Sequence, residues 1–222
     1  MDKMLMLDVE TAGSIDLPLV YDFGAQTIDM TGEAAGKSFN HVMLEVFYGM
    51  KDEMEHAYFA EKIPQYDDDI WSGDRDVMEF MQTRNAIARY LKDNGINKVC
   101  AHNARFDINA LNHTIRVLTG NRVKYFLPYG VEVWDTLKLA RQVLLKMPEY
   151  WAFCKAHDYM TKHSVPRPRL TAEVIYRFIT NDLTFEEAHT GLRDVEIESQ
   201  ILGYLLAHGA GADPILYHAP AN

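Results

Sequence analysis

The sequence predicts an α/β fold, a mixed sheet with helices packed on it. Three strand-like runs joined by short links open the chain and read as an antiparallel meander. Beyond residue 75 the runs follow the order helix, strand, helix, strand, then helices. At 222 residues and 48% apolar side chains, one domain with a full core accounts for the length.

Residues 3–8, Lys-Met-Leu-Met-Leu-Asp, read as a short buried strand ending in an acid. The second strand, 17–28, carries Leu17, Leu19, Val20, Tyr21, Phe23 and Ile28. In the third, 38–48, Val42, Leu44 and Val46 alternate at strand period. Thr31, Gly32, Glu33 and Gly36 between them suit a hairpin turn. Residues 49–75 are acidic and irregular, a long surface connection with room for a short helix. Tyr66 and Trp71 within it are expected to pin the loop to the core, with substrate contact as the alternative.

Residues 76–93 have a helical rhythm that stops at Asn94-Gly95. A buried strand at 96–101 and a helix over 104–118 follow, then a loop through Gly120 and Pro128. Residues 131–134 are a strand and 135–145 a helix. Pro148, Pro166 and Pro168 bracket an irregular segment. Helices are expected at 170–179 and 191–207. The reading is one domain over 1–210 with a loose tail at 211–222.

Several function classes are disfavoured. No run approaches the roughly 18 apolar residues of a membrane span, and the start does not read as a signal peptide. Cys100 and Cys154 lie far apart, which points to a reducing cytoplasm rather than a disulfide framework or a zinc site. A net charge of −10 disfavours an electrostatic grip on long nucleic acid. It leaves room for an enzyme that handles a short end through divalent cations.

Three clusters place acids at the ends of apolar elements. Asp8 and Glu10, two apart on a strand, share a face. Two buried carboxylates need a positive partner, and a hard divalent cation suits oxygen ligands. His102, Asn103, Phe106 and Asp107 follow the strand at 96–101. His189, Gly191 and Asp194 stand at the start of the last helix. Five helical residues rotate by about 140°, so His189 and Asp194 converge only if His189 precedes the helix. Gly191 permits that break, and Thr184 with Glu187 offers a capping box for a short turn upstream. Plainer readings stand beside each cluster: solvated strand-end acids, an Asn103 cap, and first-turn acids favoured by a helix dipole.

Taken in order, Asp8-x-Glu10-Thr11, His102-Asn103-x-x-Phe106-Asp107 and His189-x-Gly191-Leu192-x-Asp194 resemble the three exonuclease motifs of the DEDD superfamily. The histidine five residues before the last aspartate marks the DEDDh branch. Trp134-Asp135-Thr136 resembles the family's Asp-Thr after a later strand. Ala12 stands where many members have threonine, and Gly191 where many have alanine.

The resemblance implies a ribonuclease H-like mixed five-stranded sheet, three strands antiparallel plus two parallel, flanked by helices. It implies a 3′→5′ exonuclease acting on a free 3′ end of single-stranded nucleic acid, with DNA favoured slightly over RNA. Asp8, Glu10, Asp107 and Asp194 would hold two divalent ions, Mg²⁺ or Mn²⁺, about 4 Å apart. His189 would be the general base. Thr11, Asn103 and Phe106 would hold the terminal nucleotide, with a core role for Phe106 as its alternative. A homodimer is compatible with this reading, and the chain leaves a polymerase partner undetermined. The competing class is a non-catalytic nucleic-acid-binding or protein-interaction module on the same fold.

Two further features complete the inventory. Gly32, Gly36, Lys37 and Ser38 nearly spell a P-loop, but they lie between antiparallel strands where no helix follows. Lys155, Lys162, Arg167 and Arg169, with His157 and His163, form the most basic stretch and are expected to contact substrate.

Overall fold

The computed structural model describes residues 2–55, 57 and 60–211, and the backbone of a strand at 217–218. The predicted meander forms the centre of the sheet. Strand β1 (Lys3–Ser14) pairs antiparallel with β2 (Leu17–Asp29), and β2 with β3 (Ala34–Met43). β4 (Asp76–Met78) adds parallel to β3. β5 (Lys98–Ala101) lies parallel to β1, and β6 (Glu132–Asp135) parallel to β5. β7 (Tyr217–His218) pairs antiparallel with β6, giving the order β4-β3-β2-β1-β5-β6-β7. The five expected strands are present, and two short edge strands extend them. β7 falls within the expected tail; residues 212–216 and 219–222 of that tail lie outside the described residues.

The first strand is longer than its sequence suggests. β1 continues to Ser14 because β2 pairs with it down to the hairpin, so Asp8 and Glu10 stand inside the strand rather than at its end. The third strand stops earlier: residues from Leu44 form a helical turn, α1 (Leu44–Phe47), which buries Val46 and Phe47.

The acidic stretch folds into α2 (Lys51–Glu55) and α3 (Ile63–Ser72), closed by Gly73 in the left-handed region at φ 83°. It is more than a surface link, because Met54 and Tyr66 join Tyr21, Val42 and Phe47 in a small core. The helix expected from 76 begins as α4 (Phe80–Asp93), set by a capping box of Glu79 and Gln82. α5 (Ala104–Thr119) and α6 (Thr136–Val143) follow the two parallel strands. Within the segment expected to be irregular, Pro148 opens α7 (Pro148–Ala156), a position that tolerates its missing N–H. α8 (Ala172–Thr180) and α9 (Gly191–Ala207) complete the chain's helices among the described residues.

The sheet is covered on both faces. Leu5, Leu7 and Val9 of β1 pack with residues of α4 and α5, while Met4 and Met6 pack with α6, α8 and α9. α9 lies unusually close to the sheet. A β-carbon on Gly24 would sit 2.0 Å from the Gly191 carbonyl carbon, and one on Gly203 would sit 1.9 Å from the Thr31 oxygen. Among the described residues no helix is long and apolar enough to cross a membrane.

Candidate active site

β1 sets the floor. Asp8 and Glu10 alternate with Leu7 and Val9, so the acids share one face while the apolar pair enters the opposite core. Across the ladder Asp8 faces Gly24 and Glu10 faces Asp22. The register slips after Glu10, where Thr11 pairs with Val20, leaving half-buried Thr11 beyond the irregularity.

The second motif uses the end of β5. That strand stops at Ala101, so β1 runs on without a neighbour on that side. Asp107, in the first turn of α5 and 2% exposed, lies near the Val9 backbone N–H, which works against the upward push of burial on its pKa. Asn103 occupies the N-cap position in the left-handed region at φ 67°, but its side chain makes no capping bond. Its backbone N–H donates to Asp135 Oδ1 at 3.2 Å, the oxygen that also accepts Leu137 N–H and so caps α6. His102 is a structural tie: Nε2 donates to the Leu170 carbonyl at 2.7 Å, and Nδ1 lies 2.8 Å from Thr136 Oγ1. Burial holds its pKa below the ordinary histidine value, which keeps it neutral.

The third motif has the break its spacing required. α9 begins at Gly191 with Thr190 extended before it, and His189 turns back at φ 54°. Residues 185–189 are not helical; instead Asp182 closes a turn by accepting Thr184 N–H at 2.9 Å. That corrects the upstream capping box, since the aspartate competes for the same amide. Glu10, His189 and Asp194 each present a ligand atom within 4.8 Å of the others. Asp194 Oδ2 accepts Thr190 N–H at 2.9 Å, while its Oδ1 is buried without a partner.

The electrostatics are those of a site awaiting positive charge. Burial, then repulsion from Glu198 and the other acids, drives Asp8 far above the usual carboxylate range. Burial and Asp194 push Glu10 up to about 9. Burial pushes Asp107 and Asp194 up to about 8. Glu187 rises to about 7 through burial and Glu173. Among the described residues no lysine or arginine pairs with Asp8, Glu10, Asp107 or Asp194. Buried carboxylates without a cation must protonate or bind one. Carboxylate oxygens with one imidazole nitrogen, and an orphaned Asp194 oxygen, fit a divalent cation.

His189 differs in sign. Burial, then nearby Lys62, holds its pKa below 6.5, so it is neutral at physiological pH.

A cleft of about 730 Å³ opens over Asp8, walled by Arg141, Arg167 and Arg169 together with Glu187 and Glu198. The basic stretch is therefore split. Arg167 and Arg169 reach the cleft on a loop pinned by Thr161 N–H to Arg167 carbonyl and Arg169 N–H to Tyr159 carbonyl, each 2.8 Å. Lys155 instead stands over the Trp151 ring, and Lys162 does not line the cleft. Asn103 also borders a second depression of about 470 Å³ with Phe106, Arg105 and Ile15. Half-buried Phe106 belongs to none of the core clusters, which removes its core alternative. Tyr66 is fully buried, as expected, but Trp71 is 94% exposed and pins nothing.

Four residues outside the sequence motifs take part. Asp22 accepts Gly191 N–H at 2.9 Å and is neutralised by Arg75 at 2.6 Å. Glu198 lies four residues after Asp194, so helical spacing could have flagged it. Arg141 carried no local signal, and Glu187 was read only as part of a capping box.

No protein-family model matches the chain, and no curated protein matches it. Solved structures do. The nuclease domain of 3′hExo, described as a DEDDh family member bound to rAMP, superposes with a TM-score of 0.59 at 11% identity, over 98% of this chain and 96% of that one. A structure concerned with recognition of the histone mRNA stem-loop by a 3′-exonuclease gives 0.57 at 13% identity, over 99% and 71%. A full-length 3′-exonuclease gives 0.56 at 13% identity, over 99% and 91%. The likeness runs the length of the chain and is one of fold.

Proposed function

Starting from that shared exonuclease fold, we propose that this chain is a metal-dependent 3′→5′ exonuclease that shortens single-stranded nucleic acid from a free 3′ end. One observation carries the reading: Asp8, Glu10, Asp107 and Asp194 crowd together from β1, α5 and α9, among the described residues no basic side chain pairs with them, and His189 stands beside Glu10 and Asp194.

In this reading the four carboxylates hold two divalent cations. When bound, such a pair stabilises charge on the attacking and leaving oxygens of an in-line displacement. His189 accepts the proton of the attacking water on a ring nitrogen, a role its lowered pKa favours. Its position before α9 lets it approach the acids without sharing their helix face. Arg141, Arg167 and Arg169 hold phosphates of the incoming strand. Asn103 and Phe106 hold the last nucleotide, Phe106 by stacking on its base, with Thr11 at the strand edge.

DNA is the first substrate reading. The two neighbours described with rAMP and an mRNA stem-loop favour RNA as a second reading. Both are separated by one experiment: 5′-labelled single-stranded DNA and RNA incubated with Mg²⁺, Mn²⁺ or EDTA. The expected result is a ladder shortening from the 3′ end that needs the cation. It is lost in Asp8→Asn and strongly reduced in His189→Ala. Digestion that persists in EDTA, or survives Asp8→Asn, overturns the mechanism. Inactivity on every substrate favours the non-catalytic binding module.

A further inference from the structure

The arginine wall of the cleft comes from two separate parts of the chain. Arg141 belongs to α6, which begins at Thr136. Arg167 and Arg169 belong to the loop that leads through Leu170 into α8. All three line the cleft over Asp8, and so does His102. Phosphates of one strand can meet both parts only if their spacing is fixed.

His102 touches both parts. Its Nε2 lies 2.7 Å from the Leu170 carbonyl oxygen, one residue past Arg169. Its Nδ1 lies 2.8 Å from Thr136 Oγ1, at the first position of α6. A carbonyl only accepts, so Nε2 carries the proton, and the neutral ring accepts the Thr136 hydroxyl at Nδ1. The same hydroxyl is 3.4 Å from the Ala101 carbonyl, the longer and weaker alternative. Both ring nitrogens are therefore engaged, and neither is left for a metal ion. The main chain of His102 is held separately. β5 ends one residue before it, and its N–H donates to Glu198 Oε2 at 3.2 Å. The ring is thus mounted on the floor of the site and reaches both sides of the wall.

The other ties of the loop run elsewhere. Arg169 N–H donates to the Tyr159 carbonyl at 2.8 Å, and the Arg169 carbonyl accepts Tyr150 OH at 2.5 Å. Those bonds fasten the loop to α7 and the turn after it, not to the strands that carry the acids.

We propose that His102 is a positioning residue for substrate: its two ring nitrogens brace the 167–170 loop against α6 and hold Arg141, Arg167 and Arg169 at the spacing that takes the phosphates of the incoming strand. The inference rests on the arginine contacts proposed above and deepens them. A His102 that served only the fold would lower stability when replaced and leave the substrate affinity of the folded chain unchanged.

That difference sets the test. Cleavage of a labelled single-stranded oligonucleotide in Mg²⁺ is followed over a range of concentrations, for kcat and KM separately. His102→Phe keeps a ring and removes both nitrogens. It should raise KM roughly tenfold, the weight of one charge-assisted contact, with a smaller change in kcat. Mn²⁺ affinity without nucleic acid, by electron paramagnetic resonance, should match wild type. His102→Gln, whose amide can still donate to the Leu170 carbonyl, should recover part of the KM. In an Arg141→Ala/Arg169→Ala background, His102→Phe should add little further loss, because it acts through those side chains. Thr136→Val, which removes only the Nδ1 partner, should raise KM in the same direction and carries the test if His102→Phe does not fold. An unchanged KM in the folded variants, or a His102→Phe loss that adds in full to the arginine losses, overturns the role of His102 and leaves the exonuclease reading intact. A wild type that cleaves no substrate overturns both.

Discussion

Gly191 and Gly24 meet backbone to backbone where the first turn of α9 crosses the sheet. A β-carbon on Gly191 would lie 2.5 Å from the Gly24 nitrogen and 3.2 Å from the Asp8 carbonyl oxygen. Neither neighbour is a flexible side-chain tip, so an alanine here must lift the helix. Overpacking of this kind typically costs about 1–3 kcal/mol. The helix also carries Asp194 toward Glu10. Gly191→Ala should therefore lower the melting temperature and reduce cation-dependent cleavage together. Wild-type stability and rate in that variant would show that the contact does not constrain the site.

Asp22 links the acidic segment to the same helix end. It accepts Tyr66 OH at 2.8 Å and Gly191 N–H at 2.9 Å, and Arg75 neutralises it. Arg75 stacks over the Tyr66 ring, 4.3 Å from its centroid, and also reaches Asp69. Removing one partner of a buried pair leaves an uncompensated charge, typically about 3–5 kcal/mol. Arg75→Met should destabilise the chain on that scale by denaturant unfolding, and Asp22→Asn in the same background should recover part of the loss. An additive double variant would contradict the coupling.

These two relationships mark the limit of what the sequence discloses. Asp8, Glu10, Asp107, Asp194 and His189 were legible because each sits at a fixed offset within a short local motif. The central five strands were legible from periodicity. Asp22 was not, because its role depends on pairing with Glu10 across the ladder and on α9 arriving 169 residues later. β4 and β7 span only three and two residues, too short for periodicity to register. The α2–α3 segment read as irregular because its many aspartates mask the few apolar anchors, Met54 and Tyr66, that fasten it. Glu198 was within reach of helical spacing, but its importance depends on where β5 ends.

The arginine wall predicts a particular salt response. Arg141, Arg167 and Arg169 line the cleft in a chain of net charge −10. A phosphate contact contributes about one unit to the dependence of log affinity on log salt. Each of Arg141→Ala and Arg167→Ala should weaken binding of single-stranded oligonucleotide across sequences and reduce that slope by about one. Melting temperature should hardly change, since both side chains are exposed. Fluorescence anisotropy at several salt concentrations measures this; an unaltered slope would remove them from the substrate path.

Stability without cations should fall as pH rises. Glu10 is raised from 4.5 to about 9, and Asp107 and Asp194 from 3.8 to about 8. The folded chain thus keeps protons that the unfolded chain has released. The stability linked to these groups is full below the unfolded values and is lost as pH climbs through the folded ones. In EDTA the melting temperature should decline from pH 5 to pH 9, and Mg²⁺ or Mn²⁺ should flatten the decline by replacing protons. His41 and His102, held low by burial, act in the opposite sense. Asp194→Asn isolates the carboxylate part: its curve should be flatter and higher than wild type at pH 9 in EDTA. A wild-type curve parallel to that of the variant would refute the assignment.

The pH dependence of cleavage tests the base. Burial, then Lys62, holds His189 below 6.5, while Glu173 and Glu61 pull the other way. A base works only while neutral, so at saturating Mg²⁺ the acid limb of kcat/KM should have its midpoint below 6.5. Lys62 stands in the turn before α3, on the segment that carries no motif. Removing its charge makes the imidazolium easier to form, so Lys62→Met should move the acid limb toward higher pH. The rate on the alkaline plateau should stay near wild type, because the neutral form of His189 is left in place. An acid limb that stays fixed, or moves to lower pH, in Lys62→Met would separate the observed titration from His189 and assign it to another group.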